Sequence, residues 1–121
     1  MLFRSAGLAA RAAKQPSPHL TRMQAWQSLY LARALHGSGQ IAPGLALLQQ
    51  SIAILAPLAE ADKARDALLN LAEGQALLAQ WQPAQQAQWQ AQAKRNYQRA
   101  HAITALAGDH AQRWVALGGH L

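Results

Sequence analysis

Cysteine is absent from the 121 residues, which removes disulfides, thiolate nucleophiles and thiolate metal sites in one step. That absence suits a reducing compartment, and a cytoplasmic location is the expectation drawn from it. Aromatic bulk is scarce too, with one Phe, two Tyr and four Trp, although apolar residues make up 51% of the chain. The interior must then be built largely from alanine and leucine, by close approach of backbones rather than by large rings. Strand-forming residues are few, and no window keeps the strict apolar and polar alternation of a half-buried strand, so no sheet is expected. Acidic residues number only five. The first 59 positions contain none of them, against Arg4, Arg11, Lys14, Arg22 and Arg33. The longest apolar run, Ile52 to Ala59, is interrupted by Pro57 and falls short of the roughly 20 residues that span a bilayer. No membrane span is expected.

What the chain does have is alanine, leucine and glutamine, residues that lose little side-chain freedom in a helix. An all-α fold follows, and the length fits one domain. Residues 1–16 read as a basic lead, either flexible or the end of an upstream helix, broken by Pro16-Ser17-Pro18. An Arg-rich, acid-free start also matches a cleaved organellar targeting segment, which stands as the alternative for localisation. Ser17 followed by Pro18 is a good helix opening, because the serine oxygen accepts from an orphan N–H and proline needs no donor in the first turn. The first helix is expected over about 18–35, closed at His36-Gly37-Ser38-Gly39 by a left-handed glycine.

Leu45, Leu48, Ile52 and Leu55 recur at three- and four-residue spacing and predict a second helix over 43–56, stopped or kinked by Pro57. Glu60-Ala61-Asp62 reads as a restart, with Asp62 as the N-cap of a third helix over 63–80. A fourth helix, 84–106, carries Trp89, Ala93, Tyr97, Ala100 and Ile103 as a stripe and ends at Gly108. Asp109 and Gln112 fit a capping box for a brief last helix, 110–117, closed by Gly118-Gly119. The glutamine- and alanine-rich stretch 82–92 reads as helix filler.

A helix pair cannot bury its apolar face alone, so internal similarity between hairpins is informative. Leu31, Ala32 and Leu35 in the leading helix are followed by Gly44, Leu48 and Ser51 in the trailing one. Small residues at Ala32, Gly44 and Ser51 let two helices approach, while the leucines fill the adjoining grooves. This arrangement resembles the tetratricopeptide repeat, with Gly39 at the turn and Pro57 within a residue of the usual closing proline. The second hairpin repeats the signature as Leu71, Ala72, Ala93, Tyr97 and Ala100. Its spacing departs, since Ala72 and Ala93 lie twenty-one residues apart against twelve for Ala32 and Gly44. The resemblance covers about residues 28–107 and implies stacked antiparallel hairpins; a plain four-helix bundle is the alternative. Leu31, Leu35, Leu48, Ile52, Leu71, Tyr97 and Ile103 are expected in the core.

By resemblance, the leading helices line a concave surface that docks peptides. The expected partner-binding residues are Trp26, Leu29, Arg33 and His36 from the first helix, with Asp66, Asn70 and Glu73 from the third; aromatic residues and arginine are enriched at binding hot spots. Glu73 is also placed to pair with Arg33. The set lacks the lysine and asparagine arrangement by which some members of that family clamp a C-terminal carboxylate.

Catalytic signals are weak. The histidines at 19, 36, 101, 110 and 120 show no three- or four-residue spacing on one helix, so no metal and no cofactor is expected. Asp62, Asp66 and Glu73 are better read as helix-dipole and ion-pair residues than as a catalytic pair. Lys94, Arg95 and Arg99 beside Tyr97 raise nucleic acid as an alternative partner. The expectation is therefore a non-catalytic scaffold for a protein or peptide, with self-association through the apolar ends of a short stack. A basic nucleic-acid-associated regulatory domain is the rival reading.

Overall fold

In a computed structural model of the protein, residues 17–62 and 65–120 are described. Among them are five α-helices and no strand: α1 (Pro18–Gly37), α2 (Ile41–Asp62), α3 (Arg65–Trp81), α4 (Gln86–Ile103) and α5 (Gly108–Ala116), with a 3-10 turn at Pro83–Gln85 before α4. The all-α class is what the composition demands. The basic lead expected over the first sixteen residues lies outside the described residues.

Local chemistry fixes the first hairpin. Ser17 caps α1 by accepting from the Leu20 backbone N–H at 3.1 Å, and Pro18 occupies the first turn, where its missing donor costs nothing. Gly39, at φ +91°, takes the left-handed conformation that lets the chain reverse within three residues, while the Gln40 N–H donates to Leu35 O at 2.9 Å. α1 and α2 are thereby forced to lie antiparallel.

Two helix ends differ from expectation. Pro57 neither stops α2 nor restarts the chain, because α2 runs on through Glu60 and Asp62. Pro57 is exposed while Leu55 and Ala59 beside it are completely buried, so the backbone carbonyl it leaves unpaired faces water and the packed residues on either side hold the helix together. At the other end, α4 closes at Thr104, whose extended backbone (φ −149°, ψ 132°) breaks the helix five residues before Asp109. Gly108 starts α5 rather than ending α4, and the N-cap is Ala107, without a side-chain hydrogen bond. The capping box expected from Asp109 and Gln112 does not form.

Successive helices pack on one another, α1 on α2, α2 on α3 and α3 on α4, with α1 and α3, and likewise α4 and α5, touching only lightly. This is the pattern of a hairpin stack or a sequential bundle. The core runs through all of it: Ala25, Leu29 and Ala32 from α1, Leu48, Ile52 and Leu55 from α2, Leu68, Leu71 and Ala72 from α3, Tyr97 and Ala100 from α4, Trp114 from α5. Small residues mark the tightest approach. A Cβ on Gly44 would stand 3.0 Å from the backbone of both Ala32 and His36. Ser51 is buried with its hydroxyl donating to Leu47 O at 2.9 Å, which satisfies it without a partner from another helix.

Leu31 and Ile103 were expected in this core and are not: they are 54% and 53% exposed. Leu31 lies on the far side of α1 from Leu29, and Ile103 is the last residue of α4, past its final packed turn. A polar layer crosses the α3–α4 seam instead. Asn96 Nδ2 donates to Gln75 Oε1 at 2.8 Å, Gln75 Nε2 to Gln92 Oε1 at 3.0 Å, and Arg99 to both Asn96 (3.2 Å) and Glu60 (2.6 Å). Because α2 is continuous, its Ile41–Glu60 stretch is long and apolar enough, by length and composition, to cross a membrane. One face of that helix is committed to α1 and α3 through Gly44, Leu48, Ile52 and Leu55.

Candidate partner-binding groove

Alternate helices α1, α3 and α5 present one face each to a common groove. α1 contributes Arg22, Met23, Trp26, Tyr30 and Arg33; α3 contributes Asp66, Asn70, Glu73 and Leu77; α5 contributes Asp109, His110, Arg113 and Leu117. Its central section encloses about 710 Å³ between Trp26, Tyr30, Asn70, Glu73, His110 and Arg113. α2 packs on the other side of the stack, and α4 reaches the groove only through Gln90 at one end.

Five of the seven residues expected at a binding face are brought together here: Trp26, Arg33, Asp66, Asn70 and Glu73. Leu29 is not among them, being completely buried against α2 and α3. On a helix of 3.6 residues per turn it sits about 60° round from Trp26 toward the core. His36 also departs, stacking flat on Trp81 with ring centroids 4.0 Å apart where the ends of α1 and α3 meet. The groove-facing stripe of α1 is therefore rotated slightly farther from the core than expected.

Tyr30 was the residue to add on α1. It lies one turn from Trp26, their rings meet edge to face at 4.6 Å, and the two are 50% and 42% exposed. The α1 positions of the groove are 22, 23, 26, 30 and 33, a helical face whose sequence signal was the aromatic pair at i and i+4. The whole α5 wall was also missed. A nine-residue helix gives little periodicity to read, and only the tertiary fold carries His110 and Arg113 across to face α1.

The electrostatic centre is a three-helix ion bridge. Arg33 on α1 and Arg113 on α5 each reach Glu73 Oε1 on α3 at 3.2 Å. The carboxylate side chain is 11% exposed, whereas the guanidinium-bearing side chains are 42% and 37% exposed. Glu73 thus forms the floor and the two arginines the rims. Tyr30 supports one rim, with the Arg33 guanidinium 5.8 Å from its ring centre. Beneath the floor lies Tyr97, fully buried, with the Arg113 guanidinium close to its hydroxyl. Burial pushes that hydroxyl up to about 12, with Arg113 opposing the rise and Glu73 adding to it.

Trp114 anchors α5 behind this bridge. It is 5% exposed, packs against His101 at 4.7 Å, and leaves so little room over Gly119 that a Cβ there would overlap the indole. Among the described residues no group of three His, Asp or Glu side chains is disposed to hold a metal ion. The basic group on α4 is partly committed, with Arg99 tied to Glu60 and Asn96 and Lys94 lying against Gly118.

No protein-family model, no curated protein and no solved structure matches the chain.

Proposed function

We propose that this protein is a non-catalytic scaffold that holds a peptide or protein segment in the α1–α3–α5 groove. The carrying observation is that three successive leading helices place their exposed aromatic, arginine and amide side chains on one concave surface, while the apolar residues of the same helices face the core. Exposed Trp and Tyr beside arginine are the residue types from which binding hot spots are built. The tetratricopeptide-like spacing of Ala32, Gly44 and Ser51 supports the same reading, since that resemblance implies docking on the leading-helix side.

The nucleic-acid alternative draws less support. Its α4 group is divided by the Arg99–Glu60 ion pair, and the groove walls carry Asp66 and Asp109, which would face a phosphate backbone.

Site-specific photo-crosslinking tests the proposal. A photoreactive phenylalanine analogue at Tyr30 or His110 is expected to trap a polypeptide partner in cells, whereas the same group at exposed Gln50 on α2 or Gln98 on α4 is not. Equal yield from all four positions, or a preference for α2 and α4, places the interaction elsewhere and defeats the reading.

A further inference from the structure

We infer that the outward side of α1 is the interface of a two-fold dimer. A second copy of this chain packs its own α1 antiparallel on the first, with Leu20 against the partner's Leu31 and Gln24 against the partner's Gln27. The inference does not rest on the groove, which lies on another side of the same helix.

α1 divides its surface three ways. Ala25, Leu29 and Ala32 are buried in the core, and Arg22, Trp26 and Arg33 face the groove. On the third side Leu20 and Leu31 are 51% and 54% exposed, and Gln24 and Gln27 between them are exposed as well. Positions 20, 24, 27 and 31 advance by four, three and four residues, the spacing of a seam along which two helices interlock. The centre of that seam lies roughly 120° round the helix from the centre of the groove positions, so a partner seated on it leaves the groove open.

Symmetry, charge and area together select a second copy as the occupant. The seam reads alike in both directions: a two-fold axis midway between Gln24 and Gln27 sets leucine on leucine and amide on amide, and amides both donate and accept, so like groups satisfy each other. The chain carries a net charge of +6, so most like-to-like contacts would oppose cations. Both arginines of α1 are on its groove side, and Thr21, Ser28 and Leu35, which flank the seam, are uncharged, as the core of an interface requires. On α2, Leu47, Ile54 and Leu58 are half-buried within a quarter turn of Gly44, the residue against α1, and they widen the face to two helices. The 20 residues of α1 span about 30 Å, and two neighbouring helices about 20 Å, so the face covers roughly 600 Å² per copy and 1,200 Å² for the pair. That is the lower end of what a specific interface buries, which predicts a reversible dimer in the micromolar range and not an obligate one.

Sedimentation velocity of the full chain across the micromolar range tests this. The expected outcome is a monomer–dimer equilibrium that Leu31→Glu weakens by at least about tenfold, because it buries an unpaired carboxylate against the partner's Leu20. Leu20→Lys/Leu31→Glu should bring the affinity back close to that of wild type, since in the antiparallel register each introduced cation faces the other copy's introduced carboxylate. The chain has no cysteine of its own, so disulfide trapping can read the register directly. Leu20→Cys mixed with Leu31→Cys should cross-link on mild oxidation, whereas Leu20→Cys alone should not, its two copies lying roughly 16 Å apart along the helix axis. Both leucines are exposed, so each variant should melt like wild type by circular dichroism, which separates lost association from lost folding. A chain that stays monomeric throughout, or a dimer indifferent to Leu31→Glu, overturns the inference. A dimer in which Leu20→Cys links to itself and the charge pair gives no rescue overturns the antiparallel packing.

Discussion

Two glycines in this fold should respond unequally to the same substitution, and the difference can be worked from their surroundings. A methyl group added at Gly44 would stand 3.0 Å from Ala32 O and His36 N and 3.3 Å from His36 Cβ. Two of these three atoms are backbone, so relief requires α1 and α2 to separate by a few tenths of an ångström along a seam that also packs Leu29 and Ala32 against Leu48 and Leu55. Overpacking of this sort costs about 1–3 kcal/mol. Only part of the roughly 1 kcal/mol helix-propensity gain of Gly→Ala offsets it, since Gly44 is in the first turn of α2. At Gly74, in the middle of α3, the same methyl would meet Ile52 Cγ1 and Leu29 Cδ1, both at 3.1 Å. Those are side-chain atoms, and the Leu29 terminus can turn aside. There the full propensity gain of about 1 kcal/mol roughly cancels the packing cost.

Gly44→Ala is therefore expected to destabilise by about 1–2 kcal/mol and Gly74→Ala to be near neutral, a gap of roughly 6 °C in melting temperature at this chain length. Urea denaturation followed by circular dichroism, with the slope checked for constancy, measures both. A Gly44→Ala chain as stable as wild type, or a Gly74→Ala chain that loses more than Gly44→Ala, would refute the close α1–α2 crossing on which the repeat-like geometry depends.

Other expectations follow from single residues. Pro57→Ala restores a backbone donor inside α2, and the interior penalty of about 3 kcal/mol less about 1 kcal/mol of lost unfolded-state restriction predicts stabilisation near 2 kcal/mol by urea midpoint; a loss of stability would mean that a bend at Pro57 is needed to seat Ala59. Tyr97, raised by burial from 10.0 to about 12, keeps its proton in the folded chain while the unfolded chain gives it up. The Tyr97 contribution to stability should be flat below pH 10 and fall between pH 10 and 12, and Tyr97→Phe should flatten that fall. A Phe variant with an unchanged alkaline profile would assign the fall to other groups. Glu73→Gln removes both arms of the ion bridge but leaves arginines that are well solvated, so a loss of only about 1 kcal/mol is expected in urea; a loss of several would mean that α5 is held chiefly by that bridge.

The tetratricopeptide-like positions show how far residue pattern alone reaches. Ala32, Gly44, Ser51, Ala72, Ala93 and Ala100 are all buried, because a small side chain in a row of leucines makes sense only where another helix comes close. Leu31 and Leu35 occupy large positions of the same pattern, yet Leu31 is exposed and Leu35 half-buried. Those two sites would be covered only by a helix in front of α1, and none among the described residues lies there. The groove was legible on α1 and α3 from Trp26, Arg33, Asn70 and Glu73, and even the Arg33–Glu73 pair could be anticipated. Arg113 could not, since nothing in the pattern brings α5 back across α3.

Composition and spacing by themselves determined that this chain is helical, where its turns fall at Gly39 and Pro83, and which small residues mark helix crossings, because those properties depend on local backbone freedom and side-chain volume. The continuity of α2 through Pro57, the rotation of Leu29 out of the groove and the meeting of two arginines over one glutamate were decided only by the tertiary structure. Each is settled by which neighbours remain to be buried or neutralised after the helices have packed, and no local sequence contains that information.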